Sequence, residues 1–282
     1  MMKKSVSVNY NELRHIAWKN RLRILNMVHD GASGHLGGAL SACDIITYLG
    51  ECVIDYSSDE RDRFILSKGH AVTALYAEFN EIGIVKNEEL STFRKLNSRL
   101  SGHTNREKIP ETEVTTGLLG QGVSYGVGMA FAKKLKKSKK TVYVMIGDGE
   151  THEGQIWEAL MEAGHFKLDN LVLIIDRNGL CSHQPVENVI SIEPLKERLE
   201  SFGWFVKDIN GHSMEEIDSA ITSLKSQYGK PKCIIAHTVK GKGISFMEND
   251  GQWHRNIPTE KQYNVAKEEL EAQIGGNDVE SI

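Results

Sequence analysis

Long apolar runs are missing from this sequence. No stretch approaches the roughly 20 residues that a bilayer-spanning helix needs, so no membrane span is expected. An excess of either charge is missing too: 34 Lys and Arg against 38 Asp and Glu give a net charge of −4, which offers neither nucleic acid nor an anionic membrane a basic surface. The one basic run, KKLKKSKK (133–140), reads as a solvated helix end and loop. Cysteine is sparse: Cys43, Cys52, Cys181 and Cys233 are scattered without a C-x-x-C pair, and are expected to be reduced, as in a cytoplasmic protein. The N-terminus, MMKKSVSVNYNELRH, has lysines but no apolar core behind them, so no signal peptide is expected. Only 5 prolines occur, and there is no repeat, low-complexity segment or linker; a single domain over 1–282 is expected. No G-x-G-x-x-G follows the first strand-like run, which argues against a dinucleotide-binding Rossmann protein.

What is present is an alternation. Apolar positions at helical spacing mark 10–29. Residues 41–54, 71–82, 88–96, 121–137, 155–167, 194–202 and 213–227 also read as helical, and the 121–137 segment carries glycines on one face that allow close packing. Five short apolar runs read as strands: RFILS (63–67), TVYVMIG (141–147), LVLIID (171–176), WFVKDI (204–209) and KCIIAHTV (232–239). Strands alternating with helices predict an α/β fold, a doubly wound, mostly parallel sheet with helices on both faces. Beyond about 240 the chain reads as a loop, and IGGNDVESI (274–282) as a frayed tail.

Two strand ends carry chemistry. Gly147-Asp148-Gly149 closes the 141–147 run, and Asn178 lies just past the 171–176 run. In an open parallel sheet, ligands bind outside the carboxyl ends of the strands, so neighbouring strands would aim both side chains into one crevice. Gly149 would let the backbone approach a ligand closely, and a helix starting near Gly154 would point its positive end at an anion. One carboxylate, one amide oxygen and a backbone carbonyl would form a weak shell of hard oxygens, which suits Mg²⁺ when phosphate oxygens complete the octahedron. The residues therefore suggest a Mg²⁺-bridged diphosphate. Separately, Ser33-Gly34-His35, Ser67-Lys68-Gly69-His70 and Ser101-Gly102-His103 place histidines after glycines at three element ends, and His254 sits in the late loop. Zinc is a competing reading of the imidazoles, but their spacings match no compact zinc pattern.

The run GDGETHEGQIWEALMEAGHFKLDNL followed by Asn178 resembles the thiamine-diphosphate signature of transketolases. So do SGHLGG (33–38), LSKGHA (66–71) and LSGHTNREKIPETEVTTGLLGQG (100–122). Leu36, Thr104-Asn105-Arg106 and Leu118 depart from prolines or a proline-acid pair in the family pattern. The resemblance implies a cofactor, thiamine diphosphate, which supplies the carbanion, and a metal, Mg²⁺ (or Ca²⁺/Mn²⁺), held by Asp148, Asn178 and the Leu180 carbonyl. It implies that His35, His70, His103 and His254 surround the reactive carbon, bind ketose hydroxyls and shuttle protons. It further implies cofactor contacts from His70, His254, Gly149 and the block Gly117-Leu118-Leu119, and a subunit-interface role linking two cofactor sites for Glu153. Asp176 and His165 are expected to be structural. The resemblance covers only the diphosphate-binding (PP) domain, from about residue 10 to 265. The pyrimidine-binding and C-terminal domains are expected on a separate C-terminal transketolase subunit, two of each chain forming a heterotetramer that acts on sugar substrates. The alternatives left open are a 1-deoxyxylulose-5-phosphate synthase-like or 2-oxoacid dehydrogenase-like subunit, and a non-catalytic cofactor-binding subunit.

Overall fold

The computed structural model describes residues 8–279. The elements, in chain order, are α1 (Tyr10–Asp30), α2 (Leu36–Tyr48) continuing into a π-helical turn (Leu49–Val53), β1 (Arg63–Leu66), α3 (Val72–Glu81), α4 (Asn87–Leu90), α5 (Gln121–Leu135), β2 (Val142–Gly147), α6 (Gly154–His165), β3 (Leu171–Arg177), a two-residue hairpin β4 (Leu180–Cys181) and β5 (Gln184–Pro185), α7 (Val186–Val189), α8 (Leu195–Ser201), β6 (Phe205–Asn210), α9 (Met214–Leu224), β7 (Lys232–His237) and α10 (Glu260–Val279). All five long strands pair in parallel, in the order β1-β2-β3-β7-β6.

The strands read as nearly unbroken apolar runs because both faces of the sheet are covered. Alternate residues still divide between two cores. Tyr143, Met145, Val172, Ile174 and Ile234 pack with α1, α2, α3 and α9; Val142, Val144, Leu173, Ile175 and Ile235 pack with α5, α6 and α8 on the other side. Of the α5 glycines, Gly122 and Gly126 allow close packing as expected, whereas Gly128 faces open space. A Cβ on Gly126 would lie 2.4 Å from Val144 Cγ2, so its absence sets the helix directly on the sheet. Against the expectation that no apolar stretch is long enough for a bilayer, the helical segment 36–53 is so by length and composition, yet 78% of it is buried inside this fold, where it serves as a core helix.

Three expectations are corrected. The helix expected over 88–96 stops at Leu90, because Arg94 and Asn97 adopt positive φ of 58° and 64°. The region after 240 is not all loop: α10 runs through most of the expected frayed tail, with Ala266 and Leu270 fully buried and Tyr263 stacked on His29 at 3.9 Å; residues 280–282 lie outside those described. Between β2 and α6 a 3₁₀ turn (Asp148–His152) intervenes. Gly147, Asp148, Gly149 and Glu150, rather than the first turn of α6, therefore face the crevice.

The strand order also positions the loops. β1, β2, β3 and β7 are consecutive neighbours, so the segments following them, 67–71, 148–152, 178–182 and 238–242, emerge side by side at one edge of the sheet. β2 and β3 are in register from Val142↔Leu171 to Gly147↔Asp176, which places Asp148 and Asn178 next to each other beyond the last rung.

Candidate active site

A cleft of about 210 Å³ opens at that edge. At its floor, Asp148 is 1% exposed. Its Oδ1 accepts the N–H of Gly149 at 2.8 Å, and its Oδ2 accepts the N–H of Gly179 at 2.6 Å and Nη1 of Arg177 at 3.2 Å. Burial, and then the neighbouring Asp176 carboxylate, raise its pKa above the ordinary value, so a cation at this point would relieve an unfavourable charge. Asn178 Oδ1 accepts the N–H of Leu180 at 3.2 Å, while its Nδ2 donates to Asp176 Oδ2 at 3.0 Å. That bond fixes which side of the amide turns toward Leu180. Asp148, Asn178 and Leu180 all line the cleft. Among the described residues no group of three His, Cys, Asp or Glu side chains is placed to hold a metal. A donor set of one carboxylate, one amide oxygen and one carbonyl fits a divalent cation only when anionic ligand oxygens complete it, as a diphosphate would.

The wall carries cations and small residues. Lys240 is buried, and its ammonium donates to the carbonyls of Ser182 at 2.9 Å and Leu180 at 3.4 Å. Burial, followed by the charge of Lys68, lowers its pKa to about 8. A Cβ on Gly149 would lie 2.9 Å from Cys181 Sγ, which accounts for glycine at the closest approach of the 148–152 turn to the 178–182 segment.

Histidines from four separate segments converge above this floor. His35 lies with ring centroids 5.3 Å from His70, 6.1 Å from His103 and 5.2 Å from His254; His70 and His254 are 5.2 Å apart. His35 Nδ1 and His254 Nδ1 are buried without a hydrogen-bond partner. Gly117 and Leu119 also line the cleft, whereas Leu118 is 75% exposed and outside it, and Glu153 is exposed beyond the 3₁₀ turn. His165 is exposed against Phe166, away from the cleft.

All four rings are held neutral. Burial, then His103, Arg255, Arg94 and Lys240, bring His35 down to about 4; burial, then Lys240 and His35, bring His254 down to about 3. His70 and His103 are lowered as well, first by burial. An unfolded chain protonates its histidines near pH 6.5, so between about pH 6.5 and 4 the unfolded state binds more protons than the folded one, and stability falls as pH falls. The thermal midpoint of the chain is expected to drop by several degrees from pH 7 to pH 5, with a shallower slope for His35→Gln/His254→Gln, read by circular dichroism. An unchanged slope in the double variant would remove these two rings as its source.

Several site residues escaped the sequence reading. Asp176, expected to be structural, is fully buried and does not line the cleft; it supports the site from behind, accepting hydrogen bonds from Lys68, Thr238, Ser41 (2.6 Å) and Asn178. Glu150, 2% exposed, accepts from Ser67 Oγ at 2.5 Å, Gly120 N at 2.7 Å and Gly147 N at 3.3 Å, joining three cleft-forming segments. Arg177 ties Asp148 to Glu187 and Glu193, each at 3.0 Å. His183 adds a fifth imidazole, 5.9 Å from His254. Lys68 and Glu150 stand inside sequence motifs, Ser67–His70 and Gly147–Gly154, that already marked their neighbours, and Arg177 directly precedes Asn178.

Residues 14–274 match the family model described as the thiamine diphosphate binding domain of transketolase. The chain is 43% identical over 261 residues to an apulose-4-phosphate transketolase subunit of Phocaeicola vulgatus, covering 91% of this chain and 92% of that protein. It is 39% identical to the 6-deoxy-6-sulfo-D-fructose transketolase subunit SqwG of a Clostridium species, covering 93% and 97%. The crystal structure of transketolase from Campylobacter jejuni superposes with a TM-score of 0.87 at 32% identity, covering 96% of this chain and 46% of that one, so the chain spans about half the length of that single-chain relative. With the sheet order, the paired strand ends and these similarities in agreement, the chain belongs to the transketolase family and comprises its thiamine diphosphate-binding domain.

Proposed function

We propose that this chain is the diphosphate-binding subunit of a two-chain transketolase, which moves a two-carbon ketol unit from a ketose to an aldose. The observation that carries this reading is the convergence of His70, His103 and His254 on His35, whose ring centroid lies 5.2–6.1 Å from each of theirs, over the crevice that holds Asp148 and Asn178. Mg²⁺ (or Ca²⁺/Mn²⁺) would be held by the Asp148 carboxylate, the Asn178 amide oxygen and the Leu180 carbonyl. The diphosphate would lie against Gly149, His70 and Lys240, with Gly117-Leu118-Leu119 toward the pyrimidine. When bound, thiamine diphosphate supplies the stabilised carbanion that ketol transfer needs.

The chain's own residues then have separable tasks. Asp148 and Asn178 fix the anionic end of the cofactor. The neutral imidazoles of His35, His70, His103 and His254 accept and donate protons at sugar hydroxyls and at the carbonyl oxygen. Rings held neutral at pH 7 can play either part, which a permanently charged imidazolium cannot.

The matched relatives are named as subunits of transketolases, which supports a partner for this one. We assign to that partner the pyrimidine-binding domain, and to the assembly two copies of each chain in the cytoplasm, with Glu153 at an interface linking two cofactor sites. Exposed Leu118 and Leu119 beside the cleft would be covered there. Because those relatives are named for a phosphorylated and a sulfonated sugar, the sugar handled here is expected to carry a terminal anion. The purified chain alone should bind thiamine diphosphate weakly and transfer nothing, because the pyrimidine wall is missing; adding the partner chain should restore ketol transfer from a ketose phosphate to an aldose phosphate. Turnover by the chain alone would refute the split site, and pyruvate decarboxylation in place of ketol transfer would refute the transketolase reading.

A further inference from the structure

Beyond the histidines, on the side away from Asp148 and Asn178, the cleft continues into a second depression of about 430 Å³. His35, His103 and Arg255 line both; Arg94, Ser33 and Ile257 are among the residues that line the outer one alone, and no carboxylate does so. Arg94 and Arg255 are exposed. Among the described residues neither guanidinium has an ion-pair partner, nor do Arg106 and Arg198, which do not line this depression, whereas Arg14, Arg21, Arg23, Arg61, Arg63, Arg99 and Arg177 all do. What sets Arg94 and Arg255 apart is that both line one depression whose lining holds no carboxylate to neutralise them.

The placement of Arg94 is also built rather than incidental. Its backbone lies in the left-handed region at φ 58°, a conformation disfavoured for a residue with a Cβ. It is fixed there by the hydrogen bond from its N–H to the Leu100 carbonyl at 2.9 Å. The guanidinium lies against the backbone of Gly102: a Cβ there would be 3.0 Å from Arg94 Cζ and Nη1. Glycine next to His103 therefore leaves room for a guanidinium at the mouth of the cleft. Both arginines act on His35 electrostatically, so they lie close enough for their field to reach the reacting end of the site.

We infer that Arg94 and Arg255 form an anion subsite on this chain that binds the terminal tetrahedral oxyanion, phosphate or sulfonate, of the sugar whose reacting end lies among the histidines. The inference rests on the ketol-transfer reading for the sugar, and adds that this chain, not only its partner, recognises the far end of the substrate. The layout supplies the physical reason. Metal-binding floor, imidazole cluster and arginine pair follow one another along a continuous cleft, so a sugar with its carbonyl among the imidazoles extends its tail toward the guanidiniums. Planar guanidinium donors match a tetrahedral oxyanion in paired hydrogen bonds.

The test is equilibrium binding to the assembled two-chain complex, by calorimetry, of three probes: a ketopentose 5-phosphate, a 6-deoxy-6-sulfo ketohexose and the uncharged ketopentose. Arg94→Ala and Arg255→Ala are each expected to weaken both anionic sugars about tenfold or more and to leave the uncharged ketose within about twofold. Arg94→Lys should recover part of the loss. Loss for the phosphate alone would narrow the subsite to dianions and still support it; loss for the sulfonate alone would narrow it to sulfonates. Equal weakening of all three sugars, no weakening, or dissociation of the subunits in sedimentation would overturn it, the last showing that the arginines pair with the partner's carboxylates instead. Binding is read whether or not the complex turns over. A complex that binds anionic sugars through these arginines yet transfers no ketol unit would refute the proposed function and leave the subsite standing; active variants with unchanged binding would do the reverse.

Discussion

Asp148→Ala is expected to lower kcat/KM of the assembled enzyme by on the order of 10³-fold or more, since losing the metal anchor removes several kcal/mol of interaction, while the chain remains folded. Two opposing effects keep the cost to stability small. The N–H groups of Gly149 and Gly179 lose their acceptor, at about 1 kcal/mol each. Against that, a buried carboxylate whose ionisation is disfavoured by burial and by Asp176 disappears, and Arg177 keeps Glu187 and Glu193. The thermal midpoint should therefore stay within about 5 °C of the parent. Mg²⁺-dependent binding of thiamine diphosphate, followed by fluorescence, should be lost in parallel with activity. Asp148→Asn, which keeps one oxygen but no charge, should fall between the two. Retained ketol transfer in Asp148→Ala would remove Asp148 from the metal site. Separation of activity from stability is what a functional carboxylate predicts, because its burial is unfavourable to the fold.

Lys68→Met should do the opposite and strike the fold. Lys68 is 1% exposed and Asp176 fully buried; the lysine ammonium bonds the Asp176 carboxylate and the Gly38 carbonyl, the latter at 3.0 Å. Removing one partner of such a pair leaves an uncompensated buried charge, at about 3–5 kcal/mol, or roughly 10 °C in thermal midpoint for a chain of this size. The pH dependence identifies the cause. Burial opposes ionisation of Asp176, but Lys68 and the bonds from Ser41 and Thr238 more than offset it, so its pKa lies below the ordinary value. That stabilisation is present above the unfolded pKa near 3.9 and is lost as pH falls through the lower folded value. Without Lys68 the carboxyl would rather stay protonated, so the deficit of Lys68→Met should be large at pH 7 and shrink toward pH 4.5. Lys68→Met/Asp176→Asn should recover part of the loss at pH 7. A deficit independent of pH would mean that lost packing, not the stranded carboxylate, is the cause. Because Asp176 also holds the Asn178 amide at 3.0 Å, the single variant should loosen the metal site as well.

Local patterns explain which features were legible. The five strands and most helices were visible because hydrophobic period and length report burial along one segment. Asp148 and Asn178 were visible because each follows directly on an apolar run, and the histidines because glycines flank them. The helix over 260–279 was missed because its full burial rests on Ala266 and Leu270, too thin a stripe to show a helical period. The structural role expected of Asp176 agrees with its full burial, but its partner was not legible: an aspartate ending a strand has no local mark of the lysine 108 residues away that it holds.

By itself the sequence determined the five strands and most of the helices, the strand ends and the residues whose chemistry suits a metal-bridged diphosphate, since these follow from short-range periodicity and from side-chain chemistry. Only the tertiary structure decided which loops meet. The parallel order β1-β2-β3-β7 brings four loops to one edge, and it alone converts distant Lys68 and Asp176 into a buried pair and His35, His70, His103 and His254 into one cluster. The physical reason is that burial and electrostatic coupling depend on distance through space, and the packing of helices on both faces of the sheet sets those distances.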